Sequence, residues 1–167
     1  MKKISKKTAF LGLFTSLALI LSFAEALIPP IFTYAPGIKI RLPNIIIIFL
    51  LYRFGIKSAA AVSFVRILIT AMLFGSALSL IYSIAGAALS LIVMWVLKRI
   101  NAFSIPVVSI VGASLHNLAQ ICVAIILMGT KQLIFYLPAL LLSGLISGVM
   151  VGILSTYLIK ALKKVII

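Results

Sequence analysis

Long apolar runs separated by short polar breaks make up nearly the whole chain. A helix needs about 20 apolar residues to cross the hydrocarbon of a bilayer. The breaks carry turn formers or charges, as at Gly75-Ser76 and Lys98-Arg99. The pattern therefore predicts six transmembrane helices, at about Thr8–Ile28, Pro43–Phe54, Ser58–Phe74, Ala77–Leu97, Pro106–Met128 and Tyr136–Ile159.

The second apolar run is short for a full crossing. We expect it to be tilted or to continue into the turn between Arg53 and Lys57. The length of 167 residues allows one domain. We therefore predict an all-α integral membrane protein, with a single six-helix transmembrane domain over residues 1–167.

The composition makes lipid the solvent of this chain. Apolar residues account for 65% and charged residues for 10%, whereas a soluble domain has about a quarter of its residues charged. The net charge of +14 would favour a nucleic-acid partner if the basic residues formed one hydrophilic face. They are instead scattered singly or in pairs between apolar runs, so we expect topological anchors and no nucleic acid.

The distribution of Lys and Arg predicts the orientation, because cytoplasmic flanks collect these residues. With the N-terminus inside, eleven basic residues lie on inner segments, three on outer segments, and Arg66 within the membrane. Both termini are therefore predicted to be cytoplasmic, in a bacterial-type cell membrane. The inner residues are Lys2, Lys3, Lys6, Lys7, Arg53, Lys57, Lys98, Arg99, Lys160, Lys163 and Lys164, and the outer ones are Lys39, Arg41 and Lys131.

The first apolar run also resembles a secretory signal peptide. It follows basic residues and ends near Ala24-Glu25-Ala26, which imitates a cleavage site. The run is long for such a peptide, and the hydrophobic stretch continues through Leu27-Ile28. We therefore favour a retained helix.

Small residues at intervals of four predict the faces on which helices approach closely, since lipid supplies no hydrophobic drive between helices. Helix six has Gly144, Gly148 and Gly152, and helix one has Thr8, Gly12 and Ser16. Such stripes usually pack a bundle. The stripe on helix one can instead dock a partner helix, and the spacing alone does not separate the two.

Arg66 lies in the middle of the third predicted helix. A charged group at the centre of the bilayer costs roughly 2.5–3.5 kcal/mol on insertion scales, so it needs an anion, carbonyl groups or water. The single carboxylate of the chain is Glu25, near the outer end of helix one. Two interpretations stay open: a structural Glu25–Arg66 pair, or a pocket in which Arg66 holds an acidic ligand.

The fifth predicted helix carries several polar groups in a short interval. His116 and Gln120 are four apart and share a face, and Asn117 borders it. On helix four, Tyr82 either meets a ligand or reaches the lipid headgroups. Hydrogen bonds between helices explain the polar groups of helix five as well as ligand contacts do.

The segment Pro29–Pro43 contains Pro and Gly residues that prevent a helix, and it carries Tyr34, Lys39 and Arg41. It is either a lid over a cavity that opens outward or an ordinary loop attracted to anionic headgroups.

Several classes of site are disfavoured. One His without acids makes a metal site improbable, and the lone Cys122 allows no disulfide and is expected in the core. One carboxylate does not hold the magnesium that prenyl-diphosphate chemistry needs. There is no Gly-x-x-x-x-Gly-Lys-Ser/Thr phosphate loop. An intramembrane protease would pair Ser147 with His116, but packing explains the glycines beside Ser147 better. We predict neither catalysis, metal nor cofactor.

Motifs spread over nearly the whole chain resemble one family, the Gx transporter family, which is also labelled heptaprenyl diphosphate synthase component I. That family is similar to substrate-binding S components of energy-coupling-factor (ECF) transporters. Two positions depart from its pattern: Arg41 stands where a small residue is usual, and Pro43 where Ala is common. The motifs are Leu21-Ser22-Phe23-Ala24-Glu25, Ile28-Pro29, Pro36-Gly37-Ile38-Lys39, Asn44, Arg66, Leu73-Phe74-Gly75, Tyr82-Ser83-Ile84-Ala85-Gly86 and His116-Asn117-Leu118-Ala119-Gln120.

The resemblance implies an S-component-like bundle that captures a small vitamin-like molecule or a quinone or isoprenoid precursor, expected to be anionic, in an outward-facing pocket. It implies a membrane coupling (T) protein and two ATPase subunits as partners, with Gly12 and Ser16 on the docking surface. The alternative is a non-catalytic membrane partner of a prenyl diphosphate synthase. The residues expected to line the pocket are Glu25, Lys39, Asn44, Arg66, Tyr82, His116, Asn117 and Gln120.

Overall fold

The computed structural model describes residues 2–27 and 40–164, and within these ranges the chain is helical, without strands. This confirms the all-α fold class. Six α-helices are joined by short turns and two brief 3₁₀ helices, Lys131–Tyr136 and Leu162–Lys164. The α-helices are α1 (Lys2–Leu27), α2 (Asn44–Phe54), α3 (Ile56–Phe74), α4 (Ala77–Ile100), α5 (Ile105–Met128) and α6 (Leu137–Ala161).

Five of these helices are long and apolar enough to cross a membrane, and α2 is not. With 11 residues, α2 is about 16 Å long at 1.5 Å per residue. The hydrocarbon core is about 30 Å thick. The six predicted helices are therefore present, and α2 is short for a full crossing, as its apolar run indicated, since it covers about half of the thickness.

Helix α2 is the core of the bundle. Six consecutive residues, from Ile46 to Leu51, are buried, so no side of the helix faces lipid. A helix that is hydrophobic all round belongs in an interior. Phe49 packs against Phe14 of α1 with ring centroids 4.8 Å apart. The other helices surround α2 and present large apolar side chains outward, as a bilayer requires.

Helix α1 contributes one buried face to this bundle. Phe14, Ala18 and Ser22 are buried and recur at intervals of four. Helix α1 therefore packs on the bundle through this face, and its retention in the mature protein stays a prediction.

The C-terminal ends of α2, α4 and α6 meet at one end of the molecule, which we call the basic end. Lys98 Nζ donates hydrogen bonds to the carbonyl oxygens of Leu51 at 2.8 Å and Tyr52 at 3.3 Å. Arg53 Nη2 donates to the carbonyl of Lys163 at 3.3 Å. The predicted inner cations on these helices therefore do lie together. Which side of the membrane this end occupies stays a prediction.

The glycine stripe on α6 packs against α5. A Cβ at Gly148 would lie 2.6 Å from Ile110 Cα, and one at Gly152 would lie 2.5 Å from Pro106 Cα. Only glycine permits this backbone approach, so bundle packing explains the stripe. Cys122, on α5, is exposed toward the lipid side, and the expectation of a core cysteine was wrong.

The stripe on α1 is different. Gly12 and Ser16 are exposed, and a Cβ at Gly12 would meet no atom within 4 Å among the described residues. These residues therefore do not pack the bundle, and the prediction that they dock a partner stays open.

Candidate functional site

Arg41 occupies the centre of a buried polar cluster. It lies just before α2, and its side chain turns inward, leaving 9% of the residue exposed. Its Nη2 donates to the side-chain carbonyls of Asn117 and Gln120, the latter at 3.1 Å. Its φ angle of 63° lies in the left-handed region, which is uncommon for a residue with a side chain. Such conformations cluster at functional sites.

Glu25 holds the backbone of the same residue. The Arg41 N–H donates to Glu25 Oε1 at 2.5 Å. Glu25 continues the buried face of α1, because Ala18, Ser22 and Glu25 are spaced three to four residues apart. The carboxylate thus fixes the chain at the entry to α2 and partly compensates the nearby positive charge.

Arg66 reaches this region from the middle of α3, and its charge interacts with that of Glu25. Both residues are among those described, yet no guanidinium–carboxylate contact within 4.0 Å joins them. Arg66 Nε is buried, and no described residue accepts a hydrogen bond from it. A direct structural Glu25–Arg66 ion pair is therefore not what the geometry shows.

Asn117 connects the cluster to α6. Its residue is 1% exposed, and its Nδ2 donates to the Leu140 carbonyl at 2.5 Å and to Ser143 Oγ at 3.5 Å. Its Oδ1 accepts from Arg41. Because its amide nitrogen donates to α6 and its amide oxygen accepts from Arg41, Asn117 joins α5 to α6 and orients the guanidinium group of Arg41.

His116 is buried beside this amide and faces α4. A Cβ at Gly86 would lie 2.6 Å from His116 Cδ2, so the glycine makes room for the imidazole ring. His116 also lies within electrostatic range of Arg41 and Arg66. The hydroxyl of Tyr82, on the same helix as Gly86, is buried and has no hydrogen-bond partner.

A small polar cavity lies beside Arg41 and Asn44. It is about 10 Å³ in volume, and Ser90, Ser109 and Ser147 supply further polar lining. That volume suits about one water molecule. The predicted outward-facing hollow of ligand size is therefore not found between the polar side chains of residues 2–27 and 40–164.

Unpaired donors distinguish the cluster. Arg41 Nη1 and Arg66 Nε are buried and have no hydrogen-bond partner in the described part of the chain. Burial lowers the pKa of Arg41 to about 10, although the negative charge of Glu25 opposes that shift. Arg41 is thus positively charged at neutral pH, and two guanidinium groups face one carboxylate. Buried polar atoms are nearly always paired, so these two donors are exceptions among residues 2–27 and 40–164.

The structure brings together most of the predicted site residues. Glu25, Asn117 and Gln120 contact Arg41 directly, while Arg66 and His116 lie within electrostatic range of it. Asn44 lines the small cavity, and Tyr82 is joined to the others by no hydrogen bond in the described part of the chain. Lys39 and most of the proposed lid, residues 28–39, lie outside the described residues.

The sequence interpretation missed the central residue. Arg41 was assigned to the external loop as an outer cation, and the structure places its side chain inside the bundle. Its departure from the family pattern, directly before an apolar helix, was the available signal.

The serine–histidine pairing considered for a protease is not formed among the described residues. Ser147 Oγ donates to the Gly144 carbonyl at 3.3 Å, and His116 packs against Gly86 instead of approaching that serine. Over the ranges that the structure describes, no group of three or more His, Cys, Asp or Glu residues is placed to hold a metal ion.

Together these features define a polytopic helical membrane protein with a buried cationic cluster. The family model described as heptaprenyl diphosphate synthase component I matches residues 14–158, and the chain belongs to that family. No curated protein and no solved structure is detectably similar to it.

Proposed function

We propose that this protein is the substrate-binding (S) subunit of an ECF-type importer and captures a small anionic molecule at the Arg41–Arg66 cluster. The observation that carries the proposal is a pair of buried guanidinium nitrogen atoms, Arg41 Nη1 and Arg66 Nε, for which the described residues supply no acceptor. A ligand oxygen would supply that acceptor, and guanidinium groups are well suited to carboxylate and phosphate.

The proposed ligand is a vitamin-like molecule or a quinone or isoprenoid precursor with a carboxylate or phosphate. The cavity beside Arg41 has room for about one water molecule, so binding requires the cluster to open. Displacement of the Arg41 side chain from Asn117 and Gln120 would expose their amide groups to the ligand. Lys39, Asn44, Tyr82 and His116 are proposed as further contacts.

The proposed partners are a membrane coupling (T) protein and two ATPase subunits in the cytoplasmic membrane. The chain lacks a phosphate-binding loop, so energy for uptake would come from separate subunits. On α1, Gly12 and Ser16 are exposed and allow a partner helix to approach closely. These two residues are the proposed docking surface.

A second candidate is a non-catalytic membrane partner of a prenyl diphosphate synthase, which the description of the family favours. The two candidates predict different complexes. Gentle purification from native membranes should yield a coupling protein with ATPases under the first proposal. Recovery of a prenyl transferase without ATPases would favour the second.

Native mass spectrometry of the gently purified chain tests the binding site. We expect a small anionic molecule to remain bound to the wild type and to be lost from Arg66→Ala. The matched control is Arg99→Ala, because Arg99 lies at the basic end and stacks on Trp95 at 4.4 Å, away from the cluster. Equal retention of the molecule by Arg66→Ala and the wild type would refute the proposed site.

A further inference from the structure

An apolar groove lies between the C-terminal halves of α1 and α3. Its volume is about 260 Å³, far more than the polar cavity beside Arg41 offers. Large apolar side chains on its rim are exposed, so the groove opens toward the lipid. Its lining consists of Leu19, Ile20, Phe23, Ile69, Thr70, Leu73 and Phe74.

The groove continues onto the cationic cluster. Arg66, Ile69, Thr70 and Leu73 follow the spacing i, i+3, i+4, i+7, so they share one face of α3. Arg66 therefore lies one turn from the groove, on the face that lines it. The apolar groove and the positive charge of Arg66 therefore lie along the same face of α3.

Two unpartnered polar atoms lie where the groove and the cluster meet. Thr70 Oγ1 is buried and has no hydrogen-bond partner among residues 2–27 and 40–164, and the same holds for Arg66 Nε, one helical turn away. An unsatisfied polar atom at membrane depth costs several kcal/mol, since lipid offers it no partner. A polar ligand group placed between these two side chains would satisfy both.

We infer that the ligand is a single-chain anionic amphiphile that enters laterally from the bilayer. Its charged head would bind Arg66 and Thr70, and its hydrocarbon chain would lie in the α1–α3 groove. This inference rests on the proposed anion site and names the class of ligand that it takes. Moving a chain from lipid into the groove brings no hydrophobic gain, so the head supplies most of the affinity and the groove selects for shape.

Photolabelling of the full chain in phosphatidylcholine nanodiscs tests the groove. The probe is decyl phosphate with a diazirine on its terminal carbon, and the control is the uncharged decanol analogue. We expect the phosphate to label the peptides that contain Leu19–Phe23 and Ile69–Phe74. The alcohol should label lipid-facing surfaces without this preference. Equal labelling patterns for the two probes would overturn the inference.

A groove-filling variant with a matched control sharpens the test. Ile20 is 62% exposed in the groove, and Ile146 is 66% exposed on α6, outside it. Ile20→Trp should weaken decyl phosphate binding about tenfold, the effect of overfilling a packed site, whereas Ile146→Trp should not. Ethyl phosphate, measured by isothermal titration, should bind both variants as it binds the wild type. Thermal unfolding of both variants in the same nanodiscs verifies that they fold.

The outcomes separate this inference from the proposed function. If Ile20→Trp binds decyl phosphate normally while Arg66→Ala loses both phosphates, the groove is not used and the anion site stands. If neither phosphate binds the wild type better than Arg66→Ala, both proposals fail. If anionic phosphatidylglycerol in the nanodiscs displaces the probe, an ordinary lipid headgroup occupies the site and the single-chain assignment is wrong.

Discussion

The basic end and the buried cluster both contain cations, but the two regions differ in how completely the described residues pair these cations with acceptors. At the basic end, Lys98 and Arg53 donate to backbone carbonyls, and Arg99 stacks on Trp95. In the cluster, Arg41 and Arg66 each have one buried nitrogen atom for which the described residues provide no acceptor. The described residues therefore supply acceptors for Lys98 and Arg53 at the basic end, but not for every buried nitrogen atom of the cluster.

Helix polarity explains this difference. Cations near a helix C-terminus interact favourably with the dipole and satisfy the last carbonyls, as Lys98 does at the end of α2. Arg41 lies before the N-terminus of α2, where the dipole favours an anion. Its charge therefore has no role in capping the helix. An anion bound beside it would pair with the guanidinium group alone, because the first N–H groups of α2 already donate to the carbonyls of Arg41, Leu42 and Pro43.

The largest expected effect comes from removing the central cation. Arg41→Ala should weaken binding of the anionic ligand by roughly 30-fold or more, about 2–3 kcal/mol, because a charge-assisted hydrogen bond is lost. Lys98→Ala, at the basic end, should leave the affinity unchanged. Titration calorimetry on the purified proteins measures both. Similar losses in the two variants would show that general positive charge, and not the cluster, attracts the ligand.

Cations at the basic end are expected to affect the free energy of unfolding instead of the affinity for the ligand. Lys98→Met should lower the free energy of unfolding by about 1–2 kcal/mol, because the carbonyls of Leu51 and Tyr52 lose a charged donor. Lys160→Met, at an exposed position on α6, is the control and should have little effect. Denaturation in mild detergent compares them. An unchanged Lys98→Met would contradict the structural role of this cation.

Neutralising Glu25 should raise the affinity of the cluster for an anion, the opposite of the effect expected from Arg41→Ala. Glu25→Gln keeps a side-chain oxygen for the Arg41 N–H but removes the negative charge that competes with the ligand. We expect anion affinity to rise at least about fivefold, near 1 kcal/mol, because like charges about 4 Å apart repel by about that much even at the dielectric constant of bulk water. Weaker binding by this variant would mean that Glu25 contacts the ligand as an acceptor.

The smallest effect is expected from pH. Because the pKa of Arg41 is about 10, its charge is constant well below that value. Affinity for a fully ionised anion should therefore stay flat between about pH 6 and pH 8, the range in which an ordinary histidine titrates. A transition in that range would instead mean that His116 contacts the ligand as a protonated imidazole.

The apolar runs alone determined most helix boundaries. The predicted ends at Phe54, Phe74 and Met128 agree with the structure. Gly55 and Gly129 follow two of these helices with positive φ angles, which glycine adopts without strain. The start of α1 was placed six residues late, because the lysines before Thr8 are good helix formers outside the hydrocarbon.

Several site residues could also be predicted from the sequence, since polar side chains inside the membrane are costly and mark functional or paired positions. Arg66, Asn117 and Gln120 stood out on that ground, and Glu25 as the sole acid. The contacts that these residues make within the cluster could not be predicted. Arg41 and Asn117 are 76 positions apart, and nothing local couples them.

The sequence by itself determined where hydrocarbon surrounds the chain, because the cost of placing polar groups in lipid acts residue by residue. Only the tertiary structure decided which polar groups meet, that α2 lies in the core, and that Arg41 turns inward. Those outcomes depend on distances between helices that are remote in sequence. With one carboxylate for two buried guanidinium groups, packing alone determined which nitrogen atoms were left without a partner.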